Sequence, residues 1–87
     1  MDAFDRISAR TSKQTRQFTA KMLDVTDRIH ALMEAKGISQ KDLANALNEQ
    51  EAVVSLWLTG RCNLELQTIT QLEEILGEDI LVVPIAA

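Results

Sequence analysis

Arg61 directly follows Gly60, and a guanidinium beside a helix-ending glycine is well placed for charge-assisted hydrogen bonds to a phosphate; the plain alternative is an exposed loop charge. A second group of cations, Arg6, Arg10, Lys13, Arg16 and Lys21, lies near the N-terminus. Reactive chemistry has no comparable set. One histidine, His30, and one cysteine, Cys62, cannot assemble a structural zinc site or an internal disulfide. His30 sits beside an apolar stripe with no partner constellation and reads as a structural histidine. No Ser-His-acid arrangement, glycine-rich phosphate loop or paired-cysteine motif occurs, so neither an enzyme nor a cofactor or metal is expected. The chemistry on offer is binding.

The elements that must position Arg61 are read from residues 38–60. Ser39 with Asp42 three residues on forms an N-cap pair, and Leu43, Ala44 and Leu47 stripe a first short helix. Asn48 tolerates a left-handed backbone and marks the turn. Val54, Trp57 and Leu58 stripe a second short helix, and Gly60 follows at C-cap spacing. With Trp57 in the core, its replacement by Ala is expected to cost about 3 to 5 kcal/mol and its fluorescence to report folding.

This helix, turn, helix, stop arrangement resembles the lambda-repressor-like helix-turn-helix family, also called the XRE family. The resemblance rests on Ser39-Gln40, Leu43-Ala44, Leu47, Val54-Ser55, Trp57 and Gly60, and residues 29–76 fit the family's compact helical domain. It implies that the second short helix docks in the DNA major groove while the first approaches the backbone. The base-contacting positions it implies are Gln50, Glu51, Ala52, Ser55 and Leu56. The phosphate-contacting positions are Gln40, Lys41, Thr59 and Arg61, with Ser55 in support. Glu51 and Leu56 depart from the amide and guanidinium groups that match purine edges. Glu can still accept from a cytosine amino group, and Ala52, Val53 or Leu56 can touch a thymine methyl. Glu49 and Glu51 oppose phosphate.

Around this motif, 87 residues set one domain, and the apolar fraction of 46% is that of a folded chain. Scarce Gly, a single Pro at Pro84 and frequent Ala, Leu, Glu and Gln make it all-α. The absence of a signal-like or membrane-length apolar run points to a cytoplasmic protein with no membrane partner. The formal charge of −4 argues against a generally sticky nucleic-acid binder. That total hides a split: residues 1–21 hold five basic side chains against two carboxylates, a balance of +3, whereas the remainder holds four against eleven, or −7.

Residues 1–21 are expected to form an amphipathic helical extension, with Phe4, Ile7, Thr11, Phe18 and Met22 on one face interrupted by Gln14 and Thr15. It either packs on its own domain or a partner chain, the more common use of such a face, or touches DNA phosphates. Residues 22–79 form the helix-turn-helix domain. Val25, Ile29, Leu32 and Met33 stripe its first core helix, which begins at Leu23 and stops at Gly37 after Lys36. Leu66, Ile69, Leu72, Ile75 and Leu76 stripe its last, capped near Gln67 or Thr68 and ended by Gly77. In residues 80–87 the run Ile80-Leu81-Val82-Val83-Pro84-Ile85 reads as a short β-strand. Its edges need a partner, so Ile80, Leu81, Val82 and Val83 are the expected dimer contact, an antiparallel pair across a two-fold axis; an apolar tail folded back on the core is the alternative. The expected fold is thus a five-helix lambda-repressor-like domain with an N-terminal helical extension and a C-terminal strand.

Three functions compete. The resemblance implies a sequence-specific repressor that binds double-stranded DNA as a homodimer on a palindromic operator. Many family members of this size are antitoxins, which adds a toxin protein as a possible partner, facing either the basic N-terminal helix or the C-terminal segment. The alternative is a protein-interaction module with the same fold and weak or lost DNA binding, suggested by Glu49, Glu51, Val53 and Leu56. No small-molecule substrate is evident.

Overall fold

A computed structural model describes residues 2–86, apart from the side chain of Phe4; the Phe4 position expected on the amphipathic face therefore lies outside the described residues. Four helices follow in order: α1 (Ala3–Lys36), α2 (Gln40–Leu47), α3 (Glu51–Trp57) and α4 (Leu66–Leu76). The expectation of five helices and a C-terminal β-strand is overturned, since the described residues contain four helices and no strand. All-α stands.

The helix count falls because the extension and the first core helix are one 34-residue rod. No Gly or Pro interrupts the chain between Asp2 and Gly37, so nothing breaks the backbone ladder. Asp2 caps the start by accepting from the Asp5 N–H at 2.9 Å, and Gly37 closes the end at φ 64°. At about 1.5 Å per residue this rod spans about 51 Å. It accounts for the 52 Å long axis and for a radius of gyration of 16.2 Å, against about 12 Å for a compact chain of this length.

The core gathers Ile29 and Leu32 of α1, Leu43 and Ala44 of α2, Val54 of α3, and Leu72 and Leu76 of α4. Two expected core positions differ. Leu66 opens α4 and is 69% exposed, and Trp57 is only half-buried at the edge of the cluster. Its replacement by Ala should therefore cost about 2 kcal/mol, below the range for a fully buried ring. The last helix is N-capped at Glu65, two to three residues earlier than expected.

The C-terminal segment is not a strand because its first donors are already spent. The Glu73 carboxylate accepts from the N–H of Ile80 at 2.7 Å and of Leu81 at 3.0 Å. Arg28 Nε donates to the Asp79 carbonyl at 3.2 Å, and Lys36 lies 3.7 Å from the Glu78 carboxylate. Ile80 packs on the core, while Leu81, Val82, Val83 and Ile85 run on exposed. A single extended segment without a ladder partner has no second strand to make it β.

Candidate nucleic-acid interface

The two short helices are fixed locally before they are fixed by packing. Ser39 and Asp42 form the full reciprocal cap: Asp42 N–H donates to Ser39 Oγ at 3.0 Å, and Ser39 N–H donates to Asp42 Oδ2 at 2.8 Å. The backbone N–H of Ser39, then its hydroxyl, hold the Asp42 carboxyl below its ordinary pKa, with Lys41 adding to the effect. Asn48 turns the chain at φ 52°, ψ 47°, and Glu49 N–H returns to the Ala44 carbonyl at 2.9 Å. Buried Leu43, Ala44 and Val54 then lock α2 and α3 to the core.

Anchoring α3 through Val54, with Trp57 and Leu58 beside it, presents the opposite face to solvent. Gln50, Glu51, Ala52, Ser55 and Leu56 are all exposed, Leu56 at 57%. Glu51 occupies the first turn of α3, where a carboxylate suits the helix dipole. Glu49 folds back so that its Oε1 accepts from the Gln50 N–H at 3.1 Å. Both carboxylates thus have structural uses at the start of α3.

The phosphate candidates fall into two groups. Gln40 and Lys41 open α2, and the Gln40 amide nitrogen reaches the Glu51 carbonyl at 3.4 Å, a long contact that joins the starts of the two helices. Thr59 and Arg61 follow α3. The Thr59 hydroxyl donates to the Leu56 carbonyl at 2.8 Å and accepts from the Arg61 N–H at 3.1 Å, so Thr59 shapes the turn that carries Arg61. The Arg61 side chain is exposed. Of Ile80, Leu81, Val82 and Val83, the first two are held away from this face through the Glu73 carboxylate of α4, and Val82 and Val83 are exposed.

His30 and Gly60 complete the support. The His30 ring donates from Nε2 to the Leu58 carbonyl at 2.9 Å, tying the end of α3 to α1. Gly60 is buried at φ 79°, and a Cβ there would stand 3.0 Å from Leu23 Cδ2. The link from His30 has no sequence signal, because its partner is a carbonyl 28 residues away.

Residues 29–83, more than half of the chain, match the family described as helix-turn-helix. The chain belongs to this family, in its lambda-repressor or XRE form. No curated protein and no solved structure matches it. Membership makes the chain a DNA-binding regulator of the XRE type, a family that is typically non-enzymatic. The match covers α2, α3, α4 and the last eight residues of α1, 29–36, and it leaves the first part of α1 outside. Among the described residues there is no cluster of metal-ligating side chains and no helix long and apolar enough to cross a membrane.

Proposed function

We propose that this helix-turn-helix protein is a repressor that binds a palindromic operator as a dimer. In this reading the exposed face of α3 lies in the major groove. Gln50 and Ser55 supply polar base contacts, Glu51 accepts from a cytosine amino group, and Ala52 and Leu56 meet thymine methyls. Gln40, Lys41 and Arg61 neutralise or bind flanking phosphates, and Thr59 holds the turn that aims Arg61. The observation that carries the reading is the exposure of that entire face on a helix whose other side is locked by buried Val54. A dimer on DNA is also what a modest interface needs, because each half contributes few cations. The tail offers apolar surface for it at Leu81, Val82 and Val83, exposed at 44%, 72% and 84%.

An antitoxin role rests on the size of the chain and its family, with the basic first part of α1 as the surface open to a toxin protein. A second reading, a protein-interaction module, is favoured by one feature: Glu49, Glu51 and the exposed Leu56 make the face acidic and apolar. The two separate by fluorescence anisotropy on labelled duplex DNA. Loss of binding in both Arg61→Glu and Gln40→Ala supports the repressor; DNA affinity indifferent to both, or absent from the folded wild type, supports the module.

A further inference from the structure

The helix-turn-helix itself is poor in cations. Residues 38–61 carry Lys41 and Arg61 against Asp42, Glu49 and Glu51, a balance of −1, although affinity for a duplex comes chiefly from neutralised phosphates. The cations are collected on the first part of α1. Between Asp5 and Asp24 stand five basic side chains, Arg6, Arg10, Lys13, Arg16 and Lys21, and no carboxylate. All five are exposed, and the one ion pair among the described residues, Lys36 with Glu78, uses none of them.

Helical spacing puts four of the five on one line. Arg6, Arg10, Lys13 and Lys21, with Gln17 among them, fall within about 80° of one another round the rod and run about 22 Å along it. Ile7 and Phe18 lie about 100° round from the middle of that line. The line ends beside a phosphate candidate. Lys21 lines an apolar groove at the foot of the arm together with Cys62 and Asn63, the two residues that follow Arg61. Gly60 stands so close to α1 that an added Cβ would come within 3.0 Å of Leu23 Cδ2. The loop that carries Arg61 is therefore seated on α1 where the line of cations ends.

We propose that this line is a second phosphate-binding surface, lying along the DNA backbone that flanks the segment read by α3. It rests on the α3 reading for its placement and on the arm alone for its charge. Duplex DNA is the polyanion that a member of this family meets, and about 22 Å corresponds to about six phosphates of one strand. A lipid surface would need the adjoining face to be apolar, and Thr11, Gln14 and Thr15 interrupt it. With DNA on the basic line, Ile7 and Phe18 stay open to a protein. Contacts of this kind carry no sequence information, so the arm strengthens binding to every duplex alike.

The test counts phosphates. On a labelled duplex of arbitrary sequence, log Kobs falls against log salt with a slope of about −0.9 for each phosphate neutralised. Arg6→Ala combined with Arg10→Ala and Lys13→Ala should reduce that slope by about 2 to 3 for each copy bound, with the helical circular dichroism retained because alanine favours helix. Arg6→Lys combined with Arg10→Lys keeps the charge and should keep the wild-type slope. Cations beyond about 8 to 10 Å from the backbone are screened, so an unchanged slope in the triple alanine variant would overturn the proposal. Should Arg61→Glu still weaken binding in that case, the α3 reading stands and the arm is left to a protein partner. A wild type that prefers no sequence, yet loses slope in the triple variant, would keep the arm and remove the α3 reading. A folded wild type that binds no duplex at low salt would overturn both.

Discussion

Glu73 Oε2 accepts the main-chain N–H of Ile80 at 2.7 Å, and the same oxygen takes Leu81 at 3.0 Å. One α4 carboxylate thereby ends the fold and turns an apolar run that looks like a strand into a clipped tail. Glu73→Ala should destabilise the protein by about 1.5 to 3 kcal/mol in urea unfolding, the range for hydrogen bonds to a charged group. Amide exchange at Ile80 and Leu81 should accelerate well beyond that of Leu72. Unaltered exchange at those two amides would show that the clip does not hold the tail.

Two glycines with similar backbone angles should respond differently to a methyl group. Gly37 and Gly60 both sit in the left-handed region, at φ 64° and 79°, but only Gly60 has a neighbour, Leu23 Cδ2, at 3.0 Å from the added carbon. Gly37→Ala should cost about 1 kcal/mol, from the backbone alone. Gly60→Ala should cost more, about 2 kcal/mol, unless the half-exposed Leu23 side chain swings aside. Comparable thermal midpoints for the two variants would mean that Leu23 yields freely.

The Ser39–Asp42 cap gives the stability of α2 a pH dependence of defined sign. Removing it by Ser39→Ala should cost about 1 kcal/mol near neutral pH. The Asp42 pKa is lowered on folding, chiefly by the Ser39 N–H. A carboxyl lowered in the folded state contributes stability that is present above its unfolded pKa and lost as pH falls through the folded one. The difference in urea midpoint between wild type and Asp42→Asn should therefore be constant from pH 7 to about pH 5 and shrink below about pH 4. A gap that widens on acidification would contradict the assignment.

Local signals were legible in the chain and long-range ones were not. Ser39 with Asp42, Asn48, Gly37 and Gly77 each act within a few residues, and each adopts the cap or turn that its chemistry implies. The extension and the first core helix, read as two segments, have no residue between them to break the backbone ladder, so α1 runs through. The tail's β-branched residues satisfy every local criterion for a strand, and only Glu73, folded back from α4, decides otherwise. Leu66 fits the helical stripe by spacing but lies a turn beyond where α4 meets the core, and Trp57 reaches its edge rather than its centre. The α3 face is legible as a surface, because Val54 fixes which side is buried. What that face binds is a matter of chemistry beyond the single chain.

The most direct measurement is selection of bound duplexes from a random pool, at low salt and at about 0.15 M, with wild type and Gln50→Ala in parallel. The account predicts that wild type enriches a palindrome, that Gln50→Ala changes the base preferred at one position in each half-site, and that Arg61→Glu lowers recovery of all sequences alike. A folded wild type that enriches no sequence at either salt, or a consensus indifferent to Gln50, would contradict reading of DNA by the α3 face.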